Sequence, residues 1–425
     1  MTIFDSDRRH DHDRADAVSV APAAAWPLPA GVPSWVRRIL IGRALRALAD
    51  GCIAILLPAY LVALGLPLLD VGLLSTATLA GSAAATLGIG TWAHRIGRRR
   101  LLLGAALLMA ATGAGFAGFA SFWPLAVVAF VGTLNPSSGD VSIFLPIEQA
   151  ELAGAASGSG MRTTLFARYT LAGSLFSAIG ALCAAIPAWL VAHWGLAPLE
   201  SLRAMFLAYA AIGLLVWMLY HGIEDVAPDT RPATAPLGPS RGVVLRLAAL
   251  FCVDSFASGL LVNALLAAWL YQRFGLSLAA AGRFFFWSGL LSTASQLLAP
   301  HVARRIGLLN TMVFTHIPAN LFLVTAAFAP TLPIALALLL ARSALSQMDA
   351  PARNAFVMAV VTPPERVAAA SFTAVPKSLA AAAGPALGAA LLAGGWLGAP
   401  LLACGALKIV YDLSLLVAFR RHKEL

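Results

Sequence analysis

Charged side chains are scarce in this chain. Aspartate, glutamate, lysine and arginine make up 11% of its 425 residues, whereas apolar residues make up 60%. A soluble domain of this length needs much more polar surface to cover its core, so the composition excludes the soluble globular class. Lipid is therefore the solvent that we expect around most of the chain.

Cysteine is also rare, and the placement of the cysteines argues against disulfide bonds and metal binding. The four cysteines lie far apart inside apolar stretches, with no paired spacing: Cys52, Cys183, Cys252 and Cys404. That pattern predicts neither a disulfide framework nor a metal site. The chain also lacks the patterns G-x-x-x-x-G-K-[ST], H-E-x-x-H and G-x-S-x-G, so we expect no ATP site, no enzymatic activity and no cofactor.

What the chain does contain is a basic excess, with a formal net charge of +10. The basic side chains lie singly or in short clusters at the ends of apolar blocks, not together on one soluble face. We therefore interpret them as a membrane-topology signal and expect no nucleic-acid partner.

Apolar blocks of about 20 residues recur along the chain, the length that a helix needs to cross the hydrocarbon of a bilayer. Twelve such blocks are predicted, at about 36–64, 70–93, 101–120, 123–147, 166–192, 203–220, 244–271, 278–300, 307–329, 331–350, 367–395 and 398–419. The chain is thus expected to be an all-α membrane protein with the lipid bilayer as a partner.

The loop arginines predict the orientation of these spans. With a cytoplasmic N-terminus, nearly all of them lie on the inner side, whereas Arg203 and Arg273 fall outside. This asymmetry predicts that both termini are cytoplasmic, in a bacterial-type inner membrane. Residues 1–34 mix both signs of charge with proline and have no uninterrupted apolar core, which favours a disordered cytoplasmic tail over a cleaved signal peptide.

A repeat divides the chain into two similar parts. The proline-rich loop 221–243 is typical of a linker and separates a predicted six-helix bundle at 35–220 from a second one at 244–425. The tripeptide "RIG" at Arg95 recurs at Arg305, Asp140 corresponds to Asp349, and Gly180 corresponds to Gly388. These matches, 208 to 210 residues apart, favour a duplicated unit.

The stretch "GTWAHRIGRRR" resembles the loop signature of the major facilitator superfamily (MFS), G-x-x-x-D-R-x-G-R-R, which joins the second and third spans. The matching residues are Gly90, Arg95, Gly97, Arg98 and Arg99, and His94 stands where the family has Asp. The resemblance implies twelve helices in two six-helix bundles, a small-molecule substrate and an inner gate at this loop. Spans one, four, seven and ten would line the central cavity.

Some family features are missing. Because a neutral His94 offers no fixed charge near pH 7, we expect Glu148 and Glu151 to pair with the loop arginines in place of the family's Asp. The arginine that many exporters carry in the fourth span is absent. Thr133 and Asn135 lie there instead.

Ionisable groups inside spans are functional candidates, because charge in hydrocarbon is costly. Arg43, Arg46 and Asp50 share one face of the first span, and Asp50 lies about 18 Å along the helix from Arg38. Asp254 has a comparable depth in the seventh span. We hypothesise that Asp50 or Asp254 carries a coupling proton and that Arg46 tunes it. The alternative is that these groups form structural ion pairs.

Other candidates for the substrate cavity are Arg43, Asn135, Asp140, Arg342 and Asp349. Arg342 and Asp349 lie seven residues apart on one face of the tenth span, so a substrate-binding or gating pair is predicted. The fourth block, "NPSSGDVSIFLPIEQAEL", contains two prolines and a glycine, which fits either a broken helix at the pathway or a simple kink.

The expected function is proton-coupled export of a small organic compound, a drug or a toxic solute, by alternating access. The alternative is proton-coupled import of a small organic anion, which Arg43, Arg46 and Arg342 would suit. A non-transporting receptor on the same fold is a further, weaker alternative. One chain would enclose a complete pathway, so a monomer is expected.

Overall fold

The structure is a computed structural model, and it describes residues 32–92, 96–137, 143–155, 159–223, 238–362 and 365–420. Helices make up most of these ranges, and none of them contains a β-strand. The helices are α1 (Ser34–Ala63), α2 (Leu68–Trp92), α3 (Arg98–Gly118), α4 (Phe122–Val131), α5 (Phe144–Ala155), α6 (Ser159–Leu182), α7 (Ile186–Trp194), α8 (Pro198–His221), α9 (Arg241–Leu260), α10 (Asn263–Phe274), α11 (Leu278–Ile306), α12 (Leu308–Ala327), α13 (Leu332–Leu345), α14 (Asp349–Ala359), α15 (Arg366–Ala393) and α16 (Ala399–Phe419).

These helices form twelve segments that follow the predicted apolar blocks. Within the described ranges, ten stretches are long and apolar enough to cross a membrane. The fourth segment falls short of that measure because α4 covers only Phe122–Val131. The eighth, α11, is long enough but contains three serines, one glutamine and three arginines, which lower its mean hydropathy. The predicted all-helical fold of twelve segments is confirmed.

Four segments consist of two helices each. The breaks separate α4 from α5, α6 from α7, α9 from α10 and α13 from α14. The interruption predicted in the fourth block is present, since helix ends at Val131 and resumes at Phe144. Irregular backbone at membrane depth is stable only when it is buried in protein or lines a wet cavity. The breaks in segments four, seven and ten therefore point to the interior of the bundle.

The outer surface of the bundle is apolar. Trp123, Trp194 and Val417 are 76%, 68% and 67% exposed, and they are part of a larger set of exposed aromatic and aliphatic side chains. An apolar surface of this extent is incompatible with water and matches a lipid environment.

Close helix packing repeats in the two halves. In the first half, a Cβ on Gly51 of α1 would lie 2.1 Å from the carbonyl oxygen of Ser177 in α6. In the second half, a Cβ on Gly259 of α9 would lie 2.3 Å from the carbonyl oxygen of Ala381 in α15. Only glycine allows these backbones to approach so closely. The two contacts occupy corresponding places in the repeat.

The predicted match between Gly180 and Gly388 has the same explanation. A Cβ on Gly180 would lie 2.0 Å from the carbonyl oxygen of Leu48, and one on Gly388 would lie 2.0 Å from that of Leu260. Gly180 thus allows the fifth segment to lie against the first, and Gly388 allows the eleventh segment to lie against the seventh. The sequence repeat corresponds to a repeated packing interface.

The hydrophobic core is not the same at the two ends of the bundle. We call the end at which α1 begins and α16 ends the terminal face, and the other end the far face. Toward the far face a single core joins both halves, with Ile53 and Leu57 from the first and Leu265 and Trp269 from the second. Toward the terminal face there are two separate cores, one within residues 35–223 and one within residues 244–419.

Hydrogen bonds between the halves show the same asymmetry. The Tyr271 hydroxyl donates to the Ile55 carbonyl at 2.8 Å, and the Ala386 amide donates to Thr76 at 3.0 Å. Toward the terminal face, the buried pairs that the structure describes stay within one half, as Arg46 with Glu148 and Arg353 with Asp254 do. The halves are therefore closed together at the far face and separated at the terminal face.

Candidate transport site

The innermost charges of the first half belong to α1. Arg46 forms a bidentate ion pair with Glu148 of α5, with nitrogen to oxygen distances of 2.5 and 2.7 Å. Glu148 also accepts hydrogen bonds from Tyr169, at 2.6 Å, and from Tyr220. The Arg46 guanidinium covers the Phe144 ring at 3.8 Å. Both charged groups are buried, and their hydrogen-bonding capacity is almost fully used.

The sequence predicted that Glu148 pairs with the loop arginines, whereas its basic partner among the described residues is Arg46. Glu151, one turn further along α5, is 3.7 Å from Arg98. Arg99 donates to the carbonyl of His221 at the end of α8, at 2.7 Å. The two signature arginines therefore hold the terminal ends of helices within the first half.

Three predicted site residues are His94, Arg95 and Asp140, and they lie outside the described ranges. Gly90 belongs to α2, and Gly97 immediately precedes α3.

Asp50 has a different environment from Glu148. It accepts a hydrogen bond from the Tyr209 hydroxyl at 3.3 Å, and that hydroxyl also lies 3.3 Å from the Thr133 carbonyl beyond the end of α4. No cation of the described ranges lies within ion-pair distance of Asp50, because Arg46, one turn earlier, is turned toward Glu148. Asp50 is also partly exposed.

Arg43 and Asn135 lie at the edge of the same region. The Arg43 guanidinium is 5.0 Å from the centre of the Tyr169 ring and packs against Gly173, where no side chain intervenes. Asn135 accepts hydrogen bonds from the amide and hydroxyl of Ser137, at 3.1 and 2.7 Å. Asn135 thus stabilises the unwound stretch that follows α4, at residues 132–137.

That unwound stretch also reaches the other half. The Ala264 amide at the start of α10 donates to the Pro136 carbonyl at 3.1 Å. A break in the first half therefore bonds directly to a break in the second, near the middle of the bundle. Both residues are buried there.

Asp254 is the central carboxylate of the second half. It pairs with Lys408 of α16 at 2.6 Å and with Arg353 of α14 at 2.8 Å. Arg353 also pairs with Asp349, one turn earlier, at 2.8 Å. These four side chains form a buried network that joins three helices.

The network corrects one sequence prediction. Asp349 pairs with Arg353 and not with Arg342. Lys408 pairs with Asp254, whereas Asp412 bonds to His316 at 2.9 Å and to Asn320 at 3.3 Å. Asp349 and Arg353 pair along one helix, α14, whereas the carboxylate that Lys408 binds lies on a neighbouring helix, α9.

Arg342 itself lies in the last turn of α13, just before the break. Its Nε is buried without a hydrogen-bond partner, and no acceptor within the described ranges contacts the side chain. Its electrostatic neighbour is Cys404 of α16, which is buried. The guanidinium therefore points into the second half and remains partly exposed.

Sequence reasoning missed the tyrosines of this region and the role of Arg353. Tyrosine is rare here, with six residues in the chain, and a buried hydroxyl needs a polar partner. Tyrosines inside apolar blocks, such as Tyr169, Tyr209 and Tyr220, were therefore a usable signal. For Arg353, the signal was Asp349 four residues earlier, a spacing that favours ion pairing on a helix.

Comparison with known proteins identifies the family. The Major Facilitator Superfamily matches residues 39–346 of this chain. An uncharacterized membrane protein of Saccharomyces cerevisiae (strain ATCC 204508 / S288c), YJR124C, is 26% identical over 411 residues, which cover 88% of this chain and 92% of the yeast protein.

Solved structures share the fold. The crystal structure of the nucleoside transporter NupG superposes with a TM-score of 0.69 at 14% identity, covering 91% of this chain and 100% of that one. The inward open conformation of the xylose transporter XylE from E. coli gives a TM-score of 0.69 at 15% identity, covering 89% of this chain and 95% of that one. The chain is thus a membrane transporter and belongs to the Major Facilitator Superfamily.

Proposed function

We propose that this protein is a secondary transporter that couples the movement of a small organic compound to protons by alternating access. The asymmetric core supports this proposal, because two separable halves that meet at one face are what a rocking mechanism requires. The transporter would work as a monomer.

The arginines at the terminal face support a cytoplasmic location for both termini, in a bacterial-type inner membrane. With that orientation, the described conformation is open to the cytoplasm and closed to the outside. Solute would reach Asp50 from the terminal face.

Asp50 is proposed as the coupling carboxylate, and one observation carries this assignment. Each of the other carboxylates near the middle of the bundle, within the described ranges, has a basic partner, whereas Asp50 has a tyrosine hydroxyl. A proton carrier must be stable both with and without its charge. A carboxylate held by a neutral donor and reached by water meets that condition better than one held by fixed cations.

Asp254 is the less suitable of the two carboxylates that the sequence suggested. Removing its charge by protonation would leave Arg353 and Lys408 buried without their shared partner. An uncompensated buried charge is strongly unfavourable, so this network favours a permanently ionised Asp254. Its proposed role is to position α9, α14 and α16.

The proposed direction is export. Import of an organic anion is a second candidate function, and Arg342 is the specific observation that favours an anionic solute.

The first test is solute-driven proton movement in proteoliposomes that contain the purified chain. Asp50→Asn is compared with the matched control Asp70→Asn. Asp70 lies in the first turn of α2, at the far face and away from the centre of the bundle. We expect solute to drive proton flux through the wild type and Asp70→Asn but not through Asp50→Asn. Unchanged proton flux through Asp50→Asn would contradict the role of Asp50. Outward or inward solute movement under an imposed pH gradient then gives the direction.

A further inference from the structure

Two cations near the middle of the second half have no carboxylate partner in the described ranges. Arg342 lies ten residues into α13, and Lys377 lies eleven residues into α15. At 1.5 Å per residue, both are about 15 Å from a helix end, close to the middle of the hydrocarbon. No hydrogen bond or ion pair joins either side chain to a described carboxylate.

The carboxylates of this region are already in use. Asp254 contacts Lys408 and Arg353, Asp349 contacts Arg353, and Asp412 contacts His316. Positive charge therefore exceeds negative charge at the centre of the second half. An excess charge in a low-dielectric interior is costly unless a counter-charge arrives.

Arg342 and Lys377 both lie near the stretch of α16 that carries Cys404 and Lys408. Cys404 lies within electrostatic reach of Arg342 and of Lys408, and Lys377 lies within reach of Asp254 and Lys408. Arg353 and Lys408 are 9% and 5% exposed, whereas Arg342 and Lys377 remain more open. The cations that lack a carboxylate are therefore also the more exposed ones.

We propose that the transported solute is a small organic anion and that Arg342, together with Lys377, binds its carboxylate or phosphate group. This assignment rests on the proposed carrier function. The planar guanidinium of Arg342 supplies paired donors that match the two oxygens of an oxyanion, and the Lys377 ammonium adds a point charge. Binding would neutralise the excess charge of the second half before the halves move.

The proposal predicts an unusual stability pattern. Since Arg342 has no counter-charge in the absence of solute, Arg342→Gln should unfold at or above the temperature of the wild type. A purely structural arginine would behave in the opposite way, because its removal would leave a partner unsatisfied. Arg342→Lys should keep part of the solute response, and Arg283→Gln is the control, since Arg283 is exposed on α11.

The experiment measures thermal unfolding of the full chain in detergent with succinate, glycerol 3-phosphate, choline or glucose, followed by uptake into proteoliposomes. We expect at least one of the two anions to raise the unfolding temperature of the wild type and of Arg283→Gln. In Arg342→Gln the half-saturating anion concentration should rise by about tenfold or more. Comparing the rise in unfolding temperature with succinate and with glycerol 3-phosphate distinguishes recognition of a carboxylate from recognition of a phosphate.

Stabilisation by choline or glucose but by neither anion would overturn the assignment, as would an anion response that persists unchanged in Arg342→Gln. No response to any of the four solutes also counts against it. These failures are distinguishable from failure of the carrier function. Proton flux driven by choline or glucose would support the carrier function and contradict an anionic solute. Anion binding without flux of any solute would support the anion site and contradict the carrier function.

Discussion

The charged side chains inside the bundle are of two kinds, which differ in the partners that they bind. Arg46 and Glu148 satisfy each other with help from two tyrosines. Asp50, one turn from Arg46, has a single neutral donor. The first kind holds helices together, and the second is the kind that we propose for proton exchange or solute binding.

Glu148→Gln should therefore destabilise the protein strongly. The substitution leaves the buried Arg46 charge without its counter-charge, and breaking a buried pair in this way costs about 3–5 kcal/mol. Chemical unfolding in detergent measures the loss. Asp50→Asn, which breaks no ion pair, and Glu200→Gln, which alters an exposed side chain at the start of α8, should change the free energy of unfolding much less. Equal losses in Glu148→Gln and Asp50→Asn would remove the distinction between the two kinds of charge.

The candidate residues were largely visible in the sequence, whereas their partners were not. Asp50, Asp254 and Arg342 stand out because charge is rare inside apolar blocks. Their pairing depends on which helices are neighbours, and helix spacing alone suggested Arg342 with Asp349. Contacts between distant segments, such as that of Arg46 with Glu148, become visible only in three dimensions.

Helices in this bundle are defined as much by their interruptions as by their apolar runs. Prolines and glycines in the fourth block predicted its break. The break between α9 and α10 has no such signal, since it falls at Leu261 and Val262 inside an apolar run. Tertiary contacts, including the bond from Ala264 to Pro136, favour that irregular backbone over a continuous helix.

The connection between the halves is fixed where it enters the second half. Glu365, just before α15, accepts hydrogen bonds from the amides of Gly238 and Ser240 and from the Thr362 hydroxyl. Hydrogen bonds from Ser240, Thr362 and the Gly238 backbone lower the pKa of Glu365 from its ordinary value to about 2. The carboxylate thus ties the end of the linker to the loop between α14 and α15.

Glu365→Gln should release this tie, because the substitution removes the charge that the amides bind. Since the folded pKa is depressed, the stabilisation is present above the ordinary carboxyl pKa and fades as pH falls toward 2. Hydrogen exchange of the Gly238 and Ser240 amides measures it. We expect protection in the wild type at pH 5 to 7 and a loss toward pH 2, and in Glu365→Gln we expect faster exchange than in the wild type at pH 5 to 7, with the difference vanishing toward pH 2. Full protection in the variant would show that the carboxylate is not the anchor.

The two faces of the complete bundle differ, although the two halves of the sequence are similar. Twelve apolar blocks and the repeated glycines made the two-fold architecture predictable. The conformation was not predictable, because both the inward-facing and the outward-facing states use the same helices and the same repeat. Only the joined core at the far face and the divided core at the terminal face distinguish them.

Alternating access can be measured directly as two distances between spin labels. One pair replaces Ile96 and Ile306, which are exposed at equivalent loops of the terminal face, and the other replaces Val62 and Gln272 at the far face. Both pairs are introduced after the four native cysteines are replaced. We predict that changing the pH or adding solute shortens the terminal-face distance and lengthens the far-face distance in the same sample. Two distances that stay fixed, or that change in the same direction, would contradict alternating access.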